Sequence, residues 1–345
     1  MTQLLLMLSL FSVSKTFTIR IFSDIKPAEV VISTGEATHT IKASGDALIV
    51  DGKGESYYQA MGEKRYILEA GGVRRGYSGG FTFYSSDGEL YILNYVPEDT
   101  YLASVVTSEM PEGGIEARKA QAILARTYAY NTMGDYEMGY DLQDCQLSQV
   151  YRGLAADEGA VSAVRETAGL ILGYKGDVAD VYYHSTCGGM ILLPSDIWEG
   201  ASDKPYHARI VDTLCSISPL YAWEDTVRLD TLSVRLGFKQ LPDSIILVRD
   251  TTFTPVKGFK FYAPDYRLYG VKETVELFPA KPITNRFDIE IKGDLLIIHG
   301  HGYGHGVGMC QFGAMAMASH GGNYRDILTR FFPGTEIMSV SRLGD

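Results

Sequence analysis

The hydrophobic pattern of the chain changes its period at Pro97, and this change constrains the fold class. Before it, residues 16–96 run in short apolar or alternating pieces, and "FTFYSSDGELYILNYV" predicts a hairpin that turns at Asp87-Gly88. After it, "PEDTYLASVVTSEM" has apolar residues at helical spacing, begins with a proline and two acids, and stops before Pro111. The sequence therefore predicts an α+β fold with a β-rich lobe followed by a helical lobe.

A second helix is predicted for "GIEARKAQAILARTYAYNTM", residues 114–133. One continuous, largely apolar face is formed by residues at helical spacing: Ala120, Ile123, Leu124, Thr127, Tyr128 and Asn131. Lys119 and Arg126 are seven residues apart and share a different face. We expect the helix to pack inward while these two cations point sideways.

Later segments alternate between the two periods. "LILGYKGDVADVYYHST" predicts a hairpin that turns at residues 175–177, and "FDIEIKGDLLIIHG" predicts another. "ADEGAVSAVRETAG", "GMCQFGAMAMASHGG" and "NYRDILTRFFPG" predict helices, the last with Asn323 as its N-cap. Residues 190–285 show a mixed pattern.

Composition and the N-terminus limit the partners and the compartment. A chain of 345 residues can bury a large core, and a net charge of -11 disfavours nucleic acid, whose phosphates demand a basic surface. Residues 4–13 form an apolar run too short to span a bilayer, followed by the small-x-small pattern of a signal-peptidase site. We expect residues 1–14 to be a signal peptide, with a buried strand as the alternative, and no later segment to span a membrane.

The cysteines contain no C-x-x-C pair, which excludes a zinc ribbon; they are Cys145, Cys187, Cys215 and Cys310. Thiols of exported proteins tend to pair, and we favour a disulfide between Cys187 and Cys215 because both lie in one segment. Four cysteines allow three connectivities, and the sequence leaves the choice open.

Three glycine-rich stretches are candidates for chemistry. Residues 76–80 match G-x-S-x-G, but a strand follows where a nucleophile elbow needs a helix, so we interpret them as a turn. "HGHGYGHGVG", residues 299–308, lets backbone approach a ligand and contains H-x-H-x3-H, a possible metal spacing; alternatively His305 bonds a substrate and His299 is structural. "YYHSTCGG", residues 182–189, is either a Cys-His nucleophile pair or a polar strand end with a structural cysteine.

Three stretches together resemble, in order, the signature segments of the stage II sporulation protein D family: "SEMPEGGIEARKAQAILARTYAY", "YYHSTCGG" and "GYGHGVGMCQFGAMAMA". The resemblance runs from about Tyr95 to Phe332. It implies a β-rich N-terminal region at 15–95 and a catalytic domain at 96–335, in which residues 190–285 form a loosely matching mixed insertion. The two lobes are then expected to form a glycan-binding cleft.

The resemblance implies a peptidoglycan lytic transglycosylase, exported to the periplasm or the cell envelope. Such an enzyme cleaves the bond between N-acetylmuramic acid and N-acetylglucosamine in glycan strands, prefers strands without stem peptides, and leaves a 1,6-anhydro sugar. The family's catalytic acid falls on Glu109. Its other cleft residues fall on Arg126, His184, Ser185, His305 and Gln311. Related domains enhance cell-wall amidases, so a non-catalytic wall-binding module that stimulates an amidase is the alternative.

The resemblance gives little support for zinc or any other cofactor. Some members carry zinc on a set that begins at the H-S-T histidine, continues with a cysteine six residues later, and ends in a His-Cys pair. Here the residue six after His184 is Met190, and no His-Cys pair follows. An unrelated metal site on His184, Cys187 and Cys215 stays open.

A single carboxylate suffices for the implied reaction. Glycosidases usually use two carboxylates, whereas a lytic transglycosylase uses the C6 hydroxyl of the sugar as its nucleophile. Glu109 would then give a proton to the leaving oxygen and take one from that hydroxyl. Pro111 and Gly113-Gly114 end the first helix beside this residue, and a helix C-terminus disfavours an anion, which would raise its pKa. We expect Arg126 to grip the glycan or orient Glu109; the alternative is that Glu109 merely caps a turn.

Overall fold

The structure is a computed structural model that describes residues 15–62, 65–134, 139–154, 157–249, 255–262, 266–270, 284 and 286–344. The signal peptide predicted for residues 1–14 lies outside the described residues. Strands and helices both occur, which confirms the α+β class. A glycan-binding cleft stays a prediction.

The chain divides into two units, and the boundary differs from the predicted one near residue 95. The first unit holds the residues up to Pro111 together with Ala129–Ala168. The second holds Glu112–Tyr128 and the residues from Gly169 onward. The first helix and residues 158–166 therefore belong with the N-terminal strands rather than with the later part of the chain.

The first unit is built mainly of short strands. These are β1 (Thr16–Arg20), β2 (Glu29–Ser33), β3 (Thr38–Ser44), β4 (Ala47–Val50), β5 (Lys53–Glu55), β6 (Tyr57–Ala60), β7 (Tyr66–Ala70), β8 (Val73–Tyr77), β9 (Gly80–Ser86) and β10 (Glu89–Pro97). Helix α1 (Glu98–Glu109), strand β11 (Leu142–Gln143) and helix α3 (Glu158–Glu166) belong to the same unit. Helix α2 (Ile115–Thr132) follows α1 in the chain, and its residues up to Tyr128 belong to the second unit. The strand orders are β11-β1-β10-β9-β6 in one sheet and β5-β4-β3-β2-β7-β8 in the other.

The hairpin predicted at Asp87-Gly88 is confirmed. Strands β9 and β10 pair antiparallel, and Asp87 and Gly88 have φ angles of 52° and 78°. Positive φ at both central residues gives the turn the twist that antiparallel strands require. Along β9, Phe81 and Phe83 are fully buried, as the alternating pattern predicts.

Helix α1 begins and ends where the two prolines predict. Pro97 precedes it in an extended conformation, and Glu98 and Asp99 fall in the first turn, where the helix dipole favours acids. The amide of Met110 still bonds to the carbonyl of Val106, and Pro111 cannot continue the ladder. The helix packs on α3 and β10, so Glu109 stands at the end of a well-anchored element.

The second unit continues with short elements. The strands are β12 (Leu170–Tyr174), β13 (Asp177–Val178), β14 (Tyr183–His184), β15 (Gly189–Ile191), β16 (Ile210–Asp212), β17 (Ala222–Arg228), β18 (Ser244–Val248), β19 (Gly258–Tyr262), β20 (Tyr266–Gly270), β21 (Phe287–Lys292), β22 (Leu295–His301), β23 (Met309–Cys310) and β24 (Glu336–Ser339). The helices are α4 (Pro194–Ile197), α5 (Leu229–Arg235), α6 (Gln311–Ser319) and α7 (Tyr324–Phe331), with 3₁₀ turns at Leu214–Ile217 and Val340–Gly344.

Small sheets join the mixed insertion at 190–285 to the strands that follow it in one core. The strand orders are β17-β22-β21 and β18-β19-β20, and helix α5 lies beside β17. Buried apolar residues from these elements form one cluster that includes Val227, Leu232, Phe259, Phe261 and Ile298. The predicted hairpins at residues 175–177 and 287–301 and the helices ending the chain are confirmed. None of the described helices is long and apolar enough to cross a membrane.

Helix α2 is buried on more sides than its apolar face predicts. Ala120, Ile123, Leu124 and Thr127 are fully buried, as expected. The prediction that Arg126 points sideways is wrong, because this residue is also fully buried. Alanines occupy much of the remaining surface of the helix, and their small side chains let neighbouring segments approach closely.

Candidate functional site

Glu109 is the last residue of α1, and its carboxylate is oriented by a backbone amide of the same unit. The side chain is half-buried, and Oε1 accepts a hydrogen bond of 2.9 Å from the N–H of Val150. The segment that donates this bond is fastened to α1 at a second point, where the N–H of Arg152 bonds Ser104 Oγ at 3.1 Å. The carboxylate is therefore held at a defined place and keeps access to solvent.

Arg126 is buried and bonds to the backbone of a neighbouring strand. Its Nη1 donates a 3.1 Å hydrogen bond to the carbonyl of Leu170, the first residue of β12. Its neighbour Thr127 accepts a bond of 2.9 Å from the N–H of Leu172. Together they fasten β12 to α2. A fully buried guanidinium has no surface to offer to a glycan, so direct contact between Arg126 and substrate has no support in the structure.

His184 and His305 are brought together by the parallel pairing of β14 with β23. Their ring centroids are 5.4 Å apart. Nε2 of His305 lies 3.0 Å from the carbonyl of Tyr183, and Nδ1 accepts a bond from the N–H of Val307. Since a carbonyl only accepts, Nε2 of His305 carries the proton. By the same argument Nδ1 of His184, 3.0 Å from the carbonyl of Val307, is protonated.

Both imidazoles are neutral at pH 7. Burial, together with the neighbouring His305, lowers the pKa of His184 to about 3. Burial lowers the pKa of His305 to about 4. The lone pair of His184 Nε2 is buried and has no hydrogen-bond partner in the part of the chain that the structure describes. These histidines are thus suited to hydrogen bonding rather than to proton abstraction at neutral pH.

An aromatic group that the sequence reading overlooked surrounds His305. The ring of Trp198 lies 5.1 Å from that of His305 and 5.0 Å from that of Tyr182, and Trp198 is 37% exposed. The hydroxyl of Tyr182 donates to a carboxylate oxygen of Asp180 at 3.0 Å. A signal was available, because Trp198 is one of two tryptophans and stands in the polar stretch "PSDIWEG".

Ser185 directly follows β14, Gln311 begins α6 directly after β23, and the two side chains differ in their access to solvent. Ser185 is half-buried, and its hydroxyl is 3.5 Å from that of Thr186. Gln311 is buried, and its amide donates to Gln121 on α2 at 3.4 Å. Ser185 can therefore meet a ligand, whereas Gln311 joins two helices of its unit.

The glycine-rich loop needs glycine for two reasons at Gly308. Its φ is +73°, and a Cβ there would lie 2.1 Å from the carbonyl oxygen of Tyr182. Gly302 shows the same combination, with a φ of +83° and the carbonyl of Thr186 at 2.5 Å. The loop thus packs its backbone directly against the strand end that carries His184.

Replacing Gly308 by Ala is expected to lower the free energy of unfolding by about 3 kcal/mol, because backbone strain and a steric clash add. Gly293→Ala is the matched control: its φ is +64°, but nothing lies within 4 Å of the added Cβ. It should cost about 1 kcal/mol through strain alone. Chemical denaturation of both variants measures the difference. Equal losses would show that the close approach at Gly308 contributes nothing.

The spacing H-x-H-x3-H does not create a metal site. On β22, His299 lies between two acids, with ring nitrogens 3.2 Å from Glu224 and 3.6 Å from Glu290. His305 instead bonds to backbone at the end of β14. Among the described residues, the group whose donor atoms converge is a different one.

That group consists of Cys187, Asp212, Cys215 and Cys310, all buried. The predicted disulfide between Cys187 and Cys215 is wrong: both residues are thiols, with their sulfurs 3.2 Å apart. Hydrogen bonds from Cys187 and Cys310 lower the pKa of the Cys215 thiol, while burial raises the pKa of Cys310 and of Asp212. His184 is outside this group, so the open alternatives of a Cys-His nucleophile pair and of a metal set with His184 have no support here.

Comparison with known proteins finds a family match for part of the chain. The model of the family described as "Stage II sporulation protein" matches residues 86–174, which contain Glu109 and Arg126. The stage II sporulation protein D of Bacillus subtilis is 29% identical over 263 residues, which are 70% of this chain and 74% of that protein. Residues 86–174 therefore match this family, and most of the chain is similar to stage II sporulation protein D.

Two further relatives show the range of proteins to which this chain is similar. An uncharacterized protein of Brachyspira hyodysenteriae is 28% identical over 275 residues, covering 77% of this chain and 73% of that protein. The amidase enhancer of Bacillus subtilis is 28% identical over 293 residues, which are 69% of this chain but 40% of the enhancer. One of the proteins similar to this chain is thus named for enhancing an amidase.

Proposed function

We propose that the protein is an exported peptidoglycan lytic transglycosylase with Glu109 as its general acid and base. The observation that carries the proposal is the carboxylate of Glu109, which is half-buried at the end of α1 and oriented by the amide of Val150. It lies within the segment that the family model matches. A proton donor must be both accessible and fixed in orientation, and this side chain is both.

The proposed reaction needs no water. The protonated carboxyl of Glu109 gives its proton to the glycosidic oxygen as the bond from C1 of N-acetylmuramic acid to that oxygen breaks. The C6 hydroxyl of the same sugar then attacks C1, and the carboxylate takes the hydroxyl proton. A C1–O6 bond has replaced the glycosidic bond, and Glu109 is again protonated for the next cycle.

We assign sugar binding to the exposed groups around His305. An aromatic ring such as Trp198 packs against the apolar face of a pyranose, while nearby hydroxyls and imidazoles bond to its polar edge. Ser185, half-buried beside His184, and the neutral His305 supply such groups. Arg126 and Gln311 are buried and act as positioning residues in this proposal.

Removal of the Trp198 ring is expected to weaken binding of peptide-free glycan about fivefold, since an aromatic contact contributes about 1 kcal/mol. Trp198→Ala should raise KM and leave kcat nearly unchanged, and Trp198→Phe should keep most of the affinity. Leu147→Ala controls for loss of an exposed apolar side chain, because Leu147 is 83% exposed. An unchanged KM in Trp198→Ala would remove this ring from the binding surface.

The second candidate function is enhancement of a cell-wall amidase by a non-catalytic wall-binding protein. The amidase enhancer of Bacillus subtilis, which matches 69% of this chain, supports it. The two candidates differ in one observable. A transglycosylase alone releases anhydro ends from glycan strands, whereas an enhancer acts only when an amidase is present.

A further inference from the structure

We propose that Cys187, Cys215, Cys310 and Asp212 form a closed site for one soft divalent metal ion, with Zn²⁺ as its natural occupant. The proposal concerns the second unit alone and is independent of the activity assigned to Glu109. The four residues come from separate places in the sequence. Cys187 follows β14, Asp212 ends β16, Cys215 lies in the 3₁₀ turn after β16, and Cys310 ends β23.

The geometry of the donors is that of a four-coordinate site. One ligand atom from each residue lies within 4.8 Å of every other. In a tetrahedral zinc site, Zn–S bonds of about 2.3 Å place the donor atoms about 3.8 Å apart. The sulfurs of Cys187 and Cys215, now 3.2 Å apart, need to move only a few tenths of an ångström. Three thiolates and one carboxylate are soft enough to favour zinc over magnesium or calcium.

Backbone amides already point at the sulfurs. The N–H of Cys187 lies 3.3 Å from the sulfur of Cys310, and the N–H of Gly313 lies 3.4 Å from the same atom at the start of α6. N–H groups directed at sulfur stabilise thiolates, which are the form that binds a metal.

The surrounding charges match a bound dication. Three thiolates and the carboxylate of Asp212 carry four negative charges, which a divalent ion and two arginines would balance. Arg330 lies 3.4 Å from Oδ1 of Asp212, and the half-buried Arg286 donates to the carbonyls of Cys187 and Met190. Gly313 also leaves room for the carboxylate, because a Cβ there would lie 2.4 Å from Oδ2 of Asp212.

A metal satisfies this group better than a disulfide does. A Cys187–Cys215 bond would use two sulfurs and leave the third thiol beside a fully buried carboxylate. A dication uses all four donors and offsets the cost of burying Asp212. The set also differs from the zinc set expected in some family members, since it contains neither His184 nor the position of Met190.

A bound ion would connect the two strands that hold the histidines. Cys187 follows His184 by three residues, and Cys310 pairs with His184 across β14 and β23. The metal would therefore fix the strand end that carries His184 and Ser185 against the start of α6. Its role is positional, because a four-ligand site has no open position for substrate.

Cobalt binding tests the proposal. The full chain, reduced and stripped of metal, is titrated with Co²⁺ and then with Zn²⁺. We expect one Co²⁺ per chain with thiolate-to-cobalt charge-transfer absorption, displaced by Zn²⁺, and a higher Tm with zinc. Cys215→Ser and Cys310→Ser should weaken binding at least about tenfold. Cys145→Ser is the matched control, since Cys145 is a buried thiol of the first unit, outside the group.

A second measurement uses the unmodified chain, so that the proposal can be tested even if the cysteine variants fail to fold. Zn²⁺ should protect Cys187, Cys215 and Cys310 from alkylation, read by peptide mass spectrometry, and leave the reactivity of Cys145 unchanged. The proposal is overturned if the reduced protein shows no thiolate charge transfer with excess Co²⁺. It is also overturned if zinc protects none of the three thiols, or if Cys310→Ser binds cobalt as the unmodified chain does.

Discussion

Glu109→Gln is expected to lower the release of anhydro-muramyl products from peptide-free glycan by about 10³-fold, the range typical of losing a general acid. The amide has nearly the same shape, and its oxygen can still accept the hydrogen bond from Val150. It cannot protonate the leaving oxygen or receive a proton from the C6 hydroxyl. Mass spectrometry of digested glycan, which distinguishes anhydro ends from reducing ends, gives the measurement.

Two further variants make this result specific. Glu112→Gln removes an exposed carboxylate three residues away and should leave product release unchanged. Glu109→Asp keeps the acid on a shorter side chain, so we expect partial activity. If Glu109→Gln releases anhydro products at the rate of the unmodified chain, Glu109 is not the catalytic acid.

The amidase experiment separates the two candidate functions. If the unmodified chain and Glu109→Gln both release no anhydro ends, each is added to a cell-wall amidase and to its substrate. Stimulation of the amidase by both proteins to the same degree would support the enhancer function. Stimulation of neither, together with no release of anhydro ends, would contradict both candidates.

Local features were predictable from the sequence because short-range sterics decide them. Asp87-Gly88 sets a hairpin turn, and the prolines at 97 and 111 bound α1, whatever the rest of the chain does. Each of these rests on residues close together in the chain.

Features that depend on distant pairing were not predictable. The burial of Arg126 results from segments packed around α2 on nearly all sides, which a one-face pattern does not reveal. Cys310 joins Cys187 only because β14 and β23 pair in parallel, 123 residues apart in sequence. The contact of Trp198 with the ring of His305 depends on the same pairing of β14 with β23. The resemblance located His184 and His305, but their environment had to come from the structure.

Asp144 is expected to be the largest single contributor to the stability of the first unit. Its fully buried carboxylate accepts bonds from the amides of Phe22 and Ser23 at 2.8 and 3.0 Å and from the hydroxyl of Ser23 at 2.8 Å. Arg75 donates a fourth bond at 2.9 Å. Removing the carboxylate leaves two buried amides and a largely buried guanidinium without this partner, at a cost of about 3–5 kcal/mol.

Asp144→Ala should therefore lower Tm and the denaturant midpoint strongly, whereas Asp24→Ala, which removes an exposed carboxylate, should change them little. Comparison with Glu109→Gln tests whether Glu109 serves catalysis and Asp144 serves stability. Glu109→Gln should remove activity and keep Tm, because its carboxylate is half-exposed and its amide substitute keeps the bond to Val150. Asp144→Ala should lose activity only as far as it unfolds, so activity below its melting transition would persist. A full loss of activity in a folded Asp144→Ala protein would instead give this buried carboxylate a part in the reaction.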